Sequence, residues 1–167
     1  MSADPRVVRT RAVLRQALME LLRQNDWDRI TVASICRHAG VARSSFYEHL
    51  TSKAELLDEI FVDLTSNILP SAQPDAPLAT LDWLVDHVAE VPEFFVHAME
   101  GGRGGALLPR FRTALIRKLT EELTARSISH AAGKAAYVIG GSMACLAQKK
   151  DAASRADLQE MAARMLI

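Results

Sequence analysis

Apolar residues recur three and four apart along most of the chain, and no segment alternates as a strand would. Val7, Leu14, Leu18, Leu21 and Leu22, with Arg11 at the same spacing, form one stripe of an amphipathic helix that ends near Arg23. Asn25-Asp26-Trp27-Asp28 is a turn cluster. Thr31 then caps a short helix that carries Val32, Ile35 and Ala39 inward, and Gly40 ends it. The pattern predicts a third short helix over 42–50, with Phe46 and Leu50 on its buried side. Ser52 to Glu55 has the spacing of a capping box, opening a helix over 53–69 with Leu57, Ile60, Phe61, Leu64 and Ile68 as its stripe. A loop over 70–77 follows, and then helices near 78–90, 92–100, 110–128, 132–149 and 155–166, punctuated by the glycine-rich loop at 101–105 and by Pro109. The fold class expected is all-α, with about nine helices in a three-helix N-terminal head and a helical body.

Composition changes this picture little, but charge divides it. Net charge is zero over 167 residues, yet residues 1–53 carry nine basic groups against five acidic ones and the remainder has the opposite surplus. A basic head on an acidic body implies that the head alone meets a polyanion, so the domain boundary is expected at 53/54, giving 1–53 and 54–167. Cys36 and Cys145 have no metal-ligand or redox spacing and read as free thiols of a reducing compartment. No window approaches the roughly 20 apolar residues of a membrane span, and no signal-peptide pattern follows the start. A cytoplasmic protein without membrane partner is expected.

Two short helices joined by a glycine turn and backed by a longer first helix make a helix-turn-helix, whose second helix enters the major groove of duplex DNA. Here that helix would expose Arg43, Ser44, Tyr47 and Glu48, a set slim enough for a groove about 12 Å wide. Tyr47 and Lys53 would stand at its rim, where a hydroxyl and an ammonium hold phosphates. Thr31 leaves a helix N-terminus facing outward, where an anion is favoured. The alternative is a helical hairpin whose polar face is merely solvated. The segment ITVASICRHAGVARSSFYEHLTSKAELL, residues 30–57, resembles the DNA-binding signature of the TetR family of transcriptional regulators. The likeness runs from the capping threonine through the Ala-Gly-Val turn and the Phe-Tyr pair to the Ser-Lys that opens the fourth helix. It implies that Arg43, Ser44 and Ser45 read bases or adjacent backbone, and that Thr31, Tyr47, His49 and Lys53 grip phosphates. Ala42 stands where the family usually has serine, which costs the recognition helix a side-chain cap, and Leu50 stands where phenylalanine is usual.

The same resemblance implies a homodimer through the C-terminal helices and an inducer pocket in the body. The expected seam is Ile139, Gly140, Gly141, Met143 and Ala144 with Leu158, Met161 and Met165. Glycine inside a helix costs about 1 kcal/mol relative to alanine, so close approach of another helix is the natural compensation. For an effector pocket the candidates are Trp83, His87, Phe94, Phe95, His97, Met99 and Phe111, an aromatic set with a few polar members. Plain core with solvated histidines is the alternative reading of that set. His87, Glu90, Glu93 and His97 have spacings that could gather metal ligands, but Pro92 breaks the helix between them, and no metal or cofactor is expected.

The function expected is a sequence-specific, operator-binding regulator, a repressor in the family's usual mode, released by an effector. An effector that is itself a protein is the second reading, since the body leaves little room for a large cavity. A small helical enzyme is a remote third. Residues 140–144 lack the strand and final glycine of a nucleophile elbow, and the glycine-rich loop at 101–105 lacks the lysine and hydroxyl of a phosphate-binding loop.

Overall fold

Leu14, Ala17 and Leu18 lie on one side of a 20-residue helix and are almost completely buried, so the first predicted stripe is a packing face. A computed structural model describes residues 5–69, 76–90, 92–100, 105–148 and 153–166. Among them the regular elements are nine α-helices and two 3-10 turns, and the chain divides into two compact units, Met1–Asp63 and Leu64–Ile167. All-α architecture is therefore the fold, as the periodicity predicts.

The first unit holds α1 (Pro5–Gln24), the 3-10 turn Trp27–Arg29, α2 (Val32–Ala39), α3 (Arg43–Tyr47) and most of α4 (Lys53–Ser66). Its core joins Leu14 and Leu18 to Ile35, Cys36, Phe46, Leu50, Leu56, Leu57 and Ile60. Each large apolar side chain buried this way contributes about 1.5–3 kcal/mol. Thr31 caps α2 as its sequence position predicts. Its Oγ1 accepts from the Ser34 amide at 3.1 Å, and Ser34 Oγ accepts from the Thr31 amide at 2.9 Å, closing a box without a glutamate. Gly40 ends α2 at φ 66°, a conformation that costs other L-residues about 1 kcal/mol or more.

At α4 the expected capping box is only half formed. Ser52 Oγ accepts from the Glu55 amide, but the Glu55 carboxylate accepts from the amide and hydroxyl of Thr51 at 2.6 and 2.7 Å. Thr51 offers two donors where the Ser52 amide offers one, and the carboxylate takes the richer site. The helix also stops at Ser66, short of the predicted 69, and Ile68 turns back to the Thr65 carbonyl and is buried outside the helix.

The second unit contains α5 (Ala79–Glu90), α6 (Pro92–Met99), the 3-10 turn Gly105–Leu107, α7 (Leu108–Ala125), α8 (Ala131–Leu146) and α9 (Arg155–Leu166). Pro109 lies inside the first turn of α7, where its missing amide costs nothing. The core of this unit runs along α7 through Phe111, Leu115, Leu119 and Leu123, against Leu81 and Leu84 of α5 and Ala135, Ile139 and Met143 of α8. Buried Glu122 accepts from the amides of Ala79 and Thr80, the Thr80 hydroxyl and Arg126 Nη2 at 2.7–3.1 Å. Arg126 in turn donates to the carbonyls of Ala76 and Pro77. A carboxylate at the amino end of α5 satisfies amides that no helix of its own can, and faces the positive end of that helix.

Candidate nucleic-acid interface

Five residues make up α3, and only Phe46 among them is buried. Its ring anchors the helix to the core, while Arg43, Ser44 and Tyr47 point to solvent, followed by exposed Glu48. Tyr47 is 58% exposed and meets the Phe46 ring edge-on at 5.3 Å, so its hydroxyl stands out from a fixed base. Ser45 and His49 are half-buried, and Thr31 is exposed at the start of α2. Ala42, at the cap of α3, makes no side-chain bond, as the departure from serine predicts. The exit of α3 is held from α1 instead: Arg11 Nη2 donates to the His49 carbonyl at 2.8 Å, and its Nη1 pairs with Glu59 at 3.1 Å. A charged residue inside an apolar stripe was the signal for that contact. A second tie joins α1 to α2, His38 Nε2 to Glu20 at 2.6 Å. The Gln16 and His38 bonds hold the Glu20 carboxyl below its usual range.

Lys53 sits differently from its expected place at the rim. Its Nζ donates to the carbonyls of Trp27 and Ile30, both at 2.7 Å, and lies 4.1 Å from the centre of the Trp27 ring. Two of its three donors are thus spent on the turn that leads into α2. Burial pulls this ammonium below the ordinary lysine range, and Asp28 pulls it back. Nothing in the spacing of Trp27 and Lys53 announces the clamp, because it joins residues 26 apart across the unit.

A two-helix turn with an outward second helix, braced by a longer first helix, is the helix-turn-helix class of DNA-binding unit. Residues 14–60 match the family described as "Bacterial regulatory proteins, tetR family", so this head is similar to the DNA-binding unit of TetR-type transcriptional regulators. It is similar to the uncharacterized HTH-type transcriptional regulator YxbF of Bacillus subtilis (strain 168), with 42% identity over 55 residues. That stretch is 32% of this chain, and it spans only 14% of the length of that relative. A TetR transcriptional regulator from Streptococcus agalactiae 2603V has a similar fold, with a TM-score of 0.59 over 96% of this chain and 95% of its own, at 22% identity. The dihydroxyacetone kinase operon activator DhaS is also similar, with a TM-score of 0.54 over 93% of this chain and 91% of its own, at 17% identity. At such identities these two structures speak for the fold.

In the second unit the expected pocket residues separate. Trp83 stacks on His87 with ring centres 4.7 Å apart and planes 10° from parallel, and Phe111 closes the group at 5.5 Å from His87. Burial holds the His87 imidazole below its ordinary range, with Glu90 opposing. Phe95 is buried, while the side chains of Phe94 and His97 lie outside the described residues. Met99 instead lines a groove of about 400 Å³ with Leu108, Pro109, Arg112, Gly140 and Met143. Among the described residues Trp83, His87 and Phe111 therefore lie against one another, while Met99 lines a different surface.

The expected seam also divides. Ile139, Met143 and Leu158 are 0–3% exposed and belong largely to the core of their own unit. Gly141, Ala144, Met161 and Met165 are exposed, joined by Tyr137 at 65%, while Gly140 turns to the groove. Successive residues of a helix lie about 100° apart, which sends Gly140 and Gly141 to different faces. Tyr137, Gly141, Cys145, Met161 and Met165 share a shallow depression of about 220 Å³. Among the described residues, no three His, Cys, Asp or Glu side chains are placed to hold a metal, and no helix is long and apolar enough to cross a membrane.

Proposed function

We propose that the chain is a repressor that binds a palindromic operator as a homodimer and leaves it when an effector binds the second unit. The observation that carries the reading is α3, a helix whose one buried side chain frees Arg43, Ser44 and Tyr47 to face a groove. In this reading Arg43 and Ser44 contact base edges, and Ser45, Thr31, Tyr47 and His49 hold sugar-phosphate on either side. Lys53 serves them by fixing the turn before Thr31. A single head offers few base contacts, and two half-sites related by two-fold symmetry raise the specificity. The exposed apolar face of Tyr137, Gly141, Ala144, Met161 and Met165 supports pairing between copies.

Selection of bound duplexes from a random pool tests the reading. Arg43→Ala should relax preference at one position in each half-site, at a cost of about 1–3 kcal/mol. Tyr47→Phe should weaken binding to all sequences alike. Equal affinity of the natural chain for selected and random duplexes at moderate salt would overturn the reading. Sedimentation should show a dimer that Met161→Glu with Met165→Glu converts to monomer, with operator affinity falling although every α3 residue is intact. A second reading, activation in place of repression, draws support from one neighbour in fold, which is an operon activator. Reporter transcription with and without the chain separates the two.

A further inference from the structure

The groove between α6, the Gly105–Leu107 turn and α7, floored by α8, has the makings of a small-molecule site. Its volume of about 400 Å³ lies in the range that holds small organic ligands. Met99, Leu108, Pro109 and Met143 give it apolar walls, and Arg112 supplies the cationic group on its lining. Arg112 is exposed and makes no hydrogen bond or ion pair with another described residue, whereas Arg126 on the same helical run is spent on Glu122 and two carbonyls. The floor is open at Gly140, where a Cβ would meet no atom within 4 Å. An apolar trough with one unspent guanidinium fits a ligand with an apolar body and a single anionic head.

We propose that this groove binds a small amphipathic carboxylate, its apolar chain along Met99, Leu108 and Met143 and its carboxylate on Arg112. The inference deepens the effector reading above, since it names the chemical class of the effector and the residues that hold it. A planar guanidinium matches a carboxylate through two parallel hydrogen bonds, which a neutral head cannot reproduce.

Octanoate, with octanol as its neutral counterpart, is the probe, titrated calorimetrically into the full chain without DNA. Octanoate should bind, and octanol should bind at least about tenfold more weakly, as loss of a charge-assisted pair implies. Arg112→Gln should bring octanoate down to the level of octanol. Gly140→Leu should abolish binding of both by filling the floor, while its thermal midpoint stays at or above that of the natural chain, because leucine is the better helix former. Octanol bound as tightly as octanoate, octanoate binding untouched by Arg112→Gln, or no binding at all would each overturn the proposal. So would a dimer that Gly140→Leu converts to monomer, since the groove would then be covered by a second copy. Because the titration contains no DNA, failure to bind an operator leaves its outcome intact, and failure to bind octanoate leaves the operator experiment intact.

Discussion

Replacing Lys53 by methionine keeps an apolar stem of similar length and removes only the ammonium that bridges Trp27 and Ile30. Two hydrogen bonds from a charged donor are lost, each worth about 1.5–3 kcal/mol where the partners stay dry. A cation–π contact goes with them, about 0.5–1 kcal/mol at a site open to water. Lys53 is half-exposed, so water can take up the freed carbonyls and return a large part of that sum. The net loss should be about 2–3 kcal/mol, a sizeable share of the ordinary 5–15 kcal/mol of a folded domain. Trp27 is itself the reporter: in a Trp83→Phe background its emission follows the loosening of the turn during urea unfolding. The Trp27 transition should move to lower urea. Operator affinity should fall with it, because Thr31 and the start of α2 hang from that turn. A lysine acting only as a phosphate contact gives another result, an unchanged urea midpoint with the salt dependence of binding reduced by about one unit of slope. That outcome would refute the assignment of Lys53 to the turn.

Glu122→Ala should be the most damaging single change in the second unit, since it strands buried Arg126 and uncaps α5. Breaking one partner of a buried pair costs about 3–5 kcal/mol, which for a chain of this size lowers the thermal midpoint by roughly 10 °C. A loss under about 1 kcal/mol would mean that the network is not load-sharing. His87 gives the pH dependence: burial lowers its folded pKa from the ordinary 6.5, so folding favours the neutral ring. Its stabilising contribution is full above about pH 6.5 and is lost as pH falls through the lowered folded value. Trp83 emission, read in a Trp27→Phe background, should drop as the stacked ring gains its proton, with a midpoint below 6.5. A midpoint at or above that value, or the same drop in His87→Phe, would contradict the buried stack.

Local chemistry was legible in the residues and non-local direction was not. Thr31, Gly40, Phe46 and Leu50 could be placed because a cap, a left-handed turn and a helical stripe are settled within a few residues of themselves. The helices of the second unit could be found for the same reason. The bonds of Lys53 to two carbonyls of the preceding turn are not legible in the sequence, because nothing near Lys53 in the chain announces them. The two faces of α8 are a different case. On α8 both faces are apolar or small, so periodicity identifies a helix without saying which face its own unit claims. Ile139 and Met143 went to the core, and Tyr137, Gly141 and Ala144 were left outside. Trp83, His87 and Phe111 lie together, and whether three rings enclose space or fill it depends on their tilts, which no spacing records.

The single anchor of α3 bears on how such a protein changes over generations. Folding of the head rests on Phe46 from this helix and on residues outside it; Arg43, Ser44 and Glu48 are exposed, and Tyr47 meets the core through the edge of the Phe46 ring. On the operator reading proposed above, a duplicated copy that exchanged those four would answer to a different stretch of genome with little repair of its own stability. On that reading the surface is an interchangeable key on a fixed bow, and a library randomised at those four positions with proline excluded should yield mostly folded proteins.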